Sequence, residues 1–139
     1  MLRHRAAVDS DRTAFIFLTG DDLQESRLTY AQLDQEAQAI AVALAKHNVS
    51  GQAVLLQEPP GLRFMAALFG CVYAGAIVVP SYPPGPSEGT KSSSRFLRIV
   101  QDAQPAVVIG SGRSLETAQR TTQSIVSAEL PCVDLDSLT

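Results

Sequence analysis

The sequence is poor in the residues on which disulfide-rich and metal-dependent domains are built. Of its 139 residues only two are cysteine and two are histidine, and none is tryptophan. Cys71 and Cys132 are too few for a disulfide framework, and the isolated His4 and His47 form no metal-ligand cluster. We therefore expect a reducing, cytoplasmic setting, two surface histidines, a core position for Cys71 and no metal site.

Charge and long apolar runs are scarce as well. Charged residues make up 18% of the chain and the net charge is −3, which gives no electrostatic footprint for nucleic acid or an anionic membrane. The uncharged stretch 64–79 is shorter than the roughly 20 residues that a membrane span needs, and glycines interrupt it. We therefore expect no nucleic-acid partner and no membrane span.

The apolar residues that are present concentrate in the stretch 57–84, around which the chain is organised. Leu62–Tyr73 is apolar on nearly every face, which predicts a buried helix, and Gly75 suits the left-handed residue after its end. The β-branched run Ala76–Val79 predicts a strand that is covered on both faces. A buried helix that leads into a buried strand indicates a layered α/β domain.

The residues before this stretch predict a terminal arm, a hairpin and a helix. Residues 1–12 indicate an arm with at most one helical turn, and residues 12–30 a hairpin whose second strand begins at Arg27. Thr29, with Gln32 three residues later, matches a capping box at the start of a helix that ends near Asn48. Four apolar residues at helical spacing predict its buried side: Leu33, Ala37, Ile40 and Leu44.

After residue 30, helical and strand patterns alternate as far as the end of the chain. The expected strands are Ala53–Leu56, Ala76–Val79, Ala106–Ile109 and Cys132–Leu135. A Pro/Gly/Ser-rich loop over 82–94 precedes a third helix that Ser93 or Ser94 caps, with Phe96, Val100 and Ala103 on one face. A fourth helix follows Gly112, with a stripe of Leu115, Ala118, Thr122 and Ile125. The alternation over 31–139 predicts a parallel, doubly wound sheet with right-handed crossovers, in one domain.

Ligands of such sheets collect beyond the carboxyl ends of the strands. Residues 85–92 superficially resemble a P-loop, but three residues separate Gly85 from Gly89 and Thr90 separates Gly89 from Lys91. A P-loop requires four intervening residues with lysine directly after the second glycine. We therefore interpret this segment as a flexible linker.

A partial dinucleotide fingerprint occurs at Gly110-x-Gly112, followed by Asp134 and Asp136. Leu115 occupies the position of the third glycine, which favours a tight strand-to-helix turn over a nucleotide site. A small Rossmann-like or flavodoxin-like nucleotide-binding module remains the alternative. No nucleophile with an adjacent base is visible.

Two short motifs resemble signatures of a known superfamily. Leu28, Thr29, Tyr30, Gln32 and Leu33 match the Leu-Thr-Tyr-x-Glu-Leu pattern of adenylate-forming enzymes, with Gln32 in place of glutamate. Glutamine closes a capping box as glutamate does, so the expected role at the helix start is kept.

A second group of residues narrows the resemblance. Residues 73–80, with Gly75 and Pro80, are similar to the second signature, an Ala-Gly followed by an apolar strand and proline. Pro60 and Gly61 before the central helix, the Val-Pro-Ser-Tyr-Pro-Pro run 79–84 and residues 102–106 resemble fatty acyl-AMP ligases in particular. The resemblance extends from about Arg12 to Leu135. Within the superfamily, a fragment of another acyl-CoA synthetase or of an adenylation domain is the alternative.

The resemblance implies the opening part of the large N-terminal domain of such a ligase. Its members join a fatty acid to the α-phosphate of ATP, with Mg²⁺, and pass the acyl group to an acyl carrier protein, commonly in polyketide or lipopeptide biosynthesis. The family's phosphate loop, nucleotide motifs and mobile C-terminal domain have no counterpart in residues 1–139, so no catalytic residue carries over. We expect an inactive, self-associating fragment without bound cofactor, in which Tyr82 and Pro83 are candidates for lining the substrate cavity.

Overall fold

The computed structural model describes residues 1–82, 90–124, 126 and 129–138, and for residues 90–93 the description is confined to the backbone. The helices are α1 (Leu2–Val8), α2 (Tyr30–Ala45), α3 (Leu62–Tyr73), α4 (Thr90–Ala103) and α5 (Gly112–Gln123), followed by a 3₁₀ helix over Leu135–Leu138. The strands are β1 (Thr13–Thr19), β2 (Gln24–Thr29), β3 (Ala53–Gln57), β4 (Ile77–Pro80), β5 (Val107–Gly110) and β6 (Cys132–Asp134).

The predicted parallel, doubly wound sheet is confirmed. Strands β3, β4, β5 and β6 are parallel in the order β4-β3-β5-β6, while β1 and β2 form a separate antiparallel hairpin. Side chains alternate between the two faces of the sheet. Val54 and Leu56 belong to the core shared with α2 and α3, whereas Leu55 of the same strand packs with Phe96 of α4 and Leu115 of α5.

Helix α2 forms as its sequence pattern predicts. The Thr29 hydroxyl accepts a hydrogen bond from the Gln32 amide at 3.2 Å, and the Gln32 side chain accepts one from the Thr29 amide at 2.9 Å, which closes the capping box. The four residues of its predicted apolar side are buried: Leu33, Ala37, Ile40 and Leu44. Asn48, three residues beyond the helix, has the expected positive φ of 53°.

The central helix and strand are less covered than the sequence predicts. Helix α3 has the predicted bounds, yet only its side facing the core is buried, and Val72 is 55% exposed. The expectation of a strand covered on both faces was wrong, because Ile77 in β4 is 59% exposed. Strand β4 is less covered because it lies at the edge of the described sheet, where only one other strand, β3, packs beside it.

Several boundaries also differ from the predicted ones. The N-terminal arm contains the seven-residue helix α1, and the second hairpin strand begins at Gln24, three residues before Arg27. Helix α4 begins at Thr90 and not after a cap at Ser93 or Ser94. Among the described residues, no helix is long and apolar enough to cross a bilayer.

Candidate functional site at the carboxyl edge of the sheet

The carboxyl ends of the parallel strands meet along one edge of the sheet. Gln57 ends β3, Pro80 ends β4, Gly110 ends β5 and Asp134 ends β6. Open α/β sheets bind their ligands in the crevice beyond this edge. The polar residues that follow the strands are therefore the first place to look for chemistry.

Gln57 is a fully buried polar residue at the centre of this edge. Its Nε2 donates hydrogen bonds to the backbone oxygens of Ser81, at 3.1 Å, and Leu56, at 3.4 Å. Its Oε1 has no hydrogen-bond partner in the part of the chain that the structure describes. The side chain therefore ties the end of β3 to the segment that leaves β4.

Gly110 allows β5 to approach β3 closely. A Cβ at this position would lie 2.5 Å from the carbonyl oxygen of Gln57, closer than two such atoms can stand. Gly112, the next glycine, has a φ of +48°, in the left-handed region that glycine adopts most readily. The backbone geometry thus explains both glycines without a nucleotide-binding role.

Glu58 and Ser111 join the loops that follow β3 and β5. The Ser111 hydroxyl donates to Glu58 Oε2 at 2.7 Å. Desolvation of the partly buried carboxyl raises the pKa of Glu58, and the negative charges of Asp134 and Asp136 act in the same direction. The Ser111 hydrogen bond and the Arg63 charge act in the opposite direction and leave the pKa raised.

An ion pair closes the far end of the edge. Arg63 near the start of α3 forms an ion pair with Asp136, whose backbone amide donates to Asp134 Oδ1 at 2.9 Å. The arginine and aspartate side chains are 40% and 52% exposed, so this pair adds little stability. Its structural effect is to connect α3 with the 3₁₀ helix.

The described residues of this edge do not form a site for the phosphates of ATP or for a magnesium ion. Phosphate sites supply backbone amides, lysine or arginine, whereas the described part of this edge presents the carboxylates of Glu58, Asp134 and Asp136, and Arg63 is paired with Asp136. Among the described residues, no group of three His, Cys, Asp or Glu side chains is placed to hold a metal ion. No catalytic step can be assigned to the described residues on this geometry.

A shallow groove of about 570 Å³ lies beside the ion pair, between α2, α3 and the 3₁₀ helix. Its floor is apolar and is formed by Leu28, Ile40, Leu62, Leu135 and Leu138. Glu36 stands at its rim; burial raises the pKa of this carboxyl, and the charge of Arg63 lowers it to a smaller extent.

The two cavity candidates of the sequence have different outcomes. Tyr82 follows β4 by two residues and is 80% exposed, so it is accessible from the carboxyl edge. Pro83 lies outside the described residues, as do residues 84–89 of the segment that resembles a P-loop. Both residues stay predictions as cavity-lining groups.

The residues of the first signature have structural roles around α2. Leu28 and Leu33 are buried in the larger core cluster, and Tyr30 is packed against that cluster at the first position of the helix. Thr29 and Gln32 form the capping box. The signature thus fixes the start of a helix and contributes no reactive group.

The remaining signature residues lie at or beside the ends of secondary-structure elements between β3 and β4. Pro60 is exposed, and Gly61 is the N-cap of α3. Gly75 follows α3 with a φ of +70°, as predicted, and Pro80 ends β4. These residues shape the path of the chain from β3 through α3 to β4.

Cys71 and the histidines show no reactive arrangement. Cys71 is fully buried in α3, and desolvation raises the pKa of its thiol to about 12, which confirms a core position. His4 is exposed and His47 is partly exposed.

The contacts at the carboxyl edge were missed from the sequence. The pairs Gln57–Ser81 and Glu58–Ser111 join residues that are 24 and 53 positions apart, and no local pattern predicts such partners. One signal was available: Gln57 directly continues the apolar run of β3. A polar residue in line with buried residues indicates a buried hydrogen-bonding role.

A hairpin and capped helix followed by this parallel sheet, with the two signatures in order, define the class: the α/β layers of adenylate-forming enzymes. The comparison with protein families agrees, because the model of the family described as "AMP-binding enzyme" matches residues 2–138. The chain therefore belongs to the AMP-binding enzyme family.

Similar proteins include several fatty acid ligases. The medium-chain-fatty-acid–[acyl-carrier-protein] ligase JamA of Moorena producens is 39% identical over 109 residues, which cover 78% of this chain and 18% of that protein. The long-chain-fatty-acid–AMP ligase FadD23 of Mycobacterium tuberculosis is 29% identical over 143 residues, covering 99% of this chain and 24% of the relative.

Solved structures give the same class. The fatty acid AMP ligase from Legionella pneumophila superposes with a TM-score of 0.81 at 31% identity, over 99% of this chain and 23% of that protein. The fatty acyl-adenylate ligase of L. pneumophila, solved with acyl adenylate and pyrophosphate, gives a TM-score of 0.78 at 30% identity. The chain thus spans less than a quarter of the length of each of these relatives.

Proposed function

We propose that residues 1–139 are the opening part of the large N-terminal domain of a fatty acyl-AMP ligase. The observation that carries this proposal is the likeness to the Legionella fatty acid AMP ligase over 99% of the chain, at 31% identity. The matched share of that protein, 23%, supports a piece of a longer enzyme. The rival nucleotide-binding module loses its main support, because Gly110 is required by its contact with Gln57.

The longer enzyme would activate a fatty acid with ATP. A carboxylate oxygen of the fatty acid attacks the α-phosphorus of ATP, the bond to the β-phosphate oxygen breaks, and pyrophosphate leaves. The thiol of an acyl carrier protein then loses its proton, attacks the acyl carbon and displaces AMP; the name of JamA supports this acceptor. The magnesium ion used with ATP would neutralise phosphate charge, and its ligands would come from the remainder of the enzyme. A cytoplasmic location and a role in polyketide or lipopeptide biosynthesis belong to this proposal.

The residues described here would contribute positioning. Gln57 and the loops after β3 and β5 form one wall of the crevice where substrates of α/β enzymes bind. Tyr82, two residues beyond β4, would line the acyl or nucleotide cavity together with Pro83. The capped helix α2 would hold that wall in place through the core that it shares with β3.

The test compares the 139-residue chain with a polypeptide extended to the length of its relatives. Incubated with ATP, Mg²⁺ and a long-chain fatty acid, the extended polypeptide should release pyrophosphate, and the 139-residue chain should release none above the blank. Steady turnover by the shorter chain would contradict the proposal. Saturable binding of NAD or FMN to it would favour the rival module.

Self-association of the short chain is part of the same proposal. Val42, Val72 and Ile77 are 66%, 55% and 59% exposed, so apolar surface is open to contact. Light scattering at increasing concentration should show a rising average mass, and a constant monomer mass would contradict this expectation.

A further inference from the structure

Gln57 ties the segment that leaves β4 to the end of β3. Its Nε2 donates to the Ser81 oxygen at 3.1 Å, and the Ser81 amide donates to the Leu56 oxygen at 3.1 Å. The Ser81 hydroxyl donates in turn to the Tyr82 oxygen at 3.3 Å. Both backbone groups of Ser81 are therefore bonded to β3, and the direction in which Tyr82 leaves the sheet is fixed.

Gln57 is held in place by its own surroundings. Leu55, two residues earlier, packs with Phe96 of α4, so the side chain of Gln57 lies on the same face of the sheet, and it is fully buried there. On the side of β5, the backbone of Gly110 comes so close that a Cβ added to it would lie 3.2 Å from Gln57 Cβ. The donor of the bond to Ser81 therefore has a defined position.

Stability alone does not explain a glutamine at this position. Its Oε1 accepts no hydrogen bond within the described part of the chain, and a buried amide oxygen without a donor costs free energy. Methionine, which is similarly long and unbranched, would fill the same space without that cost. What glutamine supplies and methionine lacks is the Nε2 donor, whose shorter bond is the one to the Ser81 oxygen.

Tyr82 is the residue whose position this anchoring sets. It is 80% exposed beyond the carboxyl edge, where α/β sheets bind their ligands. The same edge carries the carboxylates of Glu58, Asp134 and Asp136, which repel phosphate groups and leave an alkyl chain unaffected. The ring of Tyr82 offers a large apolar surface to such a chain.

We infer that Gln57 is a positioning residue for the fatty acid: through Ser81 it holds Tyr82 where the ring contacts the alkyl chain. This inference rests on the proposed function, because a fatty acid is the substrate only if the longer polypeptide is an acyl-AMP ligase. It assigns Tyr82 to the acyl cavity and not to the nucleotide cavity, and it names the residue that sets its direction.

Steady-state kinetics of the extended polypeptide test the acyl contact. Pyrophosphate release is measured while a long-chain fatty acid and ATP are varied in turn. Tyr82→Ala should raise the KM for the fatty acid about tenfold, the loss expected when an aromatic contact with an alkyl chain is removed, while kcat and the KM for ATP stay within about twofold. Gln57→Met should raise the same KM by about threefold or more. A raised KM for ATP, or an unchanged KM for the fatty acid in either variant, would overturn the inference.

The double variant shows whether Gln57 acts through Tyr82. Once Tyr82 is alanine, Gln57→Met should have almost no further effect on the fatty acid KM, because the ring that Gln57 positions is gone. Effects that multiply in the double variant would contradict the inference. Gln101→Met is the matched control, because it makes the same change at an exposed position in α4, and its KM values should equal those of the unaltered polypeptide.

Backbone ¹⁵N relaxation of the 139-residue chain tests the anchoring without any substrate. The Tyr82 amide should have an order parameter of about 0.8 in the unaltered chain, typical of rigid backbone, and Gln57→Met should lower it toward about 0.6. Denaturant midpoints should show Gln57→Met to be folded and as stable as the unaltered chain. An order parameter at Tyr82 that Gln57→Met leaves unchanged would refute the anchoring, and an unfolded Gln57→Met chain would show that the amide serves stability and refute it as well.

The two measurements separate this inference from the proposed function. An extended polypeptide that releases pyrophosphate, with a fatty acid KM insensitive to Gln57→Met, would refute the inference and leave the function intact. An extended polypeptide that releases none would refute the function and the acyl contact with it. The order parameter of Tyr82 would in that case still decide whether Gln57 holds this residue.

Discussion

Gly110 of β5 lies directly against the backbone carbonyl of Gln57 of β3. A methyl group on Gly110 would stand 2.5 Å from that oxygen, and the clashing atom belongs to the backbone, which cannot rotate away. The two strands pair in register at these residues. The contact thus sets how closely the central strands approach at the edge where ligands would bind.

Gly110→Ala should therefore destabilise the fold strongly. We expect the free energy of unfolding to fall by about 3 kcal/mol, the upper range for inserting a methylene into a packed interior. Gly112→Ala is the control, because nothing lies within 4 Å of its Cβ position and only its left-handed φ resists the change. That substitution should cost about 1–2 kcal/mol. Urea titrations followed by circular dichroism measure both, and equal losses would contradict the close contact.

The capping box at α2 should contribute measurably to stability. Thr29→Ala removes the oxygen that accepts from the Gln32 amide, and we expect a loss of about 1 kcal/mol in the free energy of unfolding. Gln32→Glu keeps an acceptor for the Thr29 amide and should leave stability within about 0.5 kcal/mol. A Thr29→Ala chain as stable as the unaltered one would show that the cap contributes nothing.

Tyr73 should make stability depend on pH in the alkaline range. Its hydroxyl donates to Asp34 Oδ1 at 2.6 Å, and desolvation, followed by this hydrogen bond and the Asp34 charge, raises the pKa of Tyr73 to about 12. The folded state holds this proton more tightly than the unfolded state, whose tyrosine pKa is near 10. The contribution is complete below pH 10 and is lost as the pH rises toward 12.

Replacement of Tyr73 provides the measurement. Tyr73→Phe should flatten the decline of the unfolding free energy between pH 10 and pH 12 and remove the phenolate absorbance that develops near pH 12. Tyr82→Phe, at a residue that is 80% exposed, is the matched control. An unchanged alkaline titration in Tyr73→Phe would contradict the assignment.

Glu58 should produce the corresponding effect in acid. Burial raises the pKa of this carboxyl above its ordinary value of 4.5, so the folded state favours the protonated form. Its contribution to stability is complete below pH 4.5 and is lost as the pH rises through the folded-state pKa. Glu58→Gln keeps an acceptor for Ser111 and should reduce the loss of stability between pH 4.5 and pH 7.

The control for Glu58 is an acid on the surface. Glu116→Gln removes an exposed helical ion pair with Arg120 and should change stability by less than about 0.5 kcal/mol. Denaturant midpoints at several pH values give both results. A Glu58→Gln chain whose stability follows pH as the unaltered chain does would contradict the raised pKa.

The parts of the fold that the sequence predicts are those encoded by neighbouring residues. The capping box depends on Thr29 and Gln32, three positions apart, and the left-handed ends at Asn48 and Gly75 depend on one residue each. The parallel strands follow from short apolar runs, because strands buried by helices on both sides require them. The two family signatures coincide with such local features, and they can therefore be recognised in the sequence.

The parts that the sequence does not predict depend on strand order and on distant partners. The run Ile77–Pro80 is apolar enough for a central strand, and only the order β4-β3-β5-β6 reveals that it lies at an edge. In the sequence, no feature distinguishes Ser81 and Ser111 from other loop residues. The structure places Ser81 beside Gln57 and Ser111 beside Glu58. Such contacts require the three-dimensional arrangement and have no local signature.

The burial of Cys71 gives this protein an internal reporter. A thiol reacts as its thiolate, and a pKa of about 12 together with full burial leaves almost none available at pH 8. Alkylating reagents would then modify Cys71 only in molecules whose core has opened. The rate at which Cys71 is modified would therefore report how often the core of the native protein opens. The measurement needs no denaturant and no knowledge of the substrate.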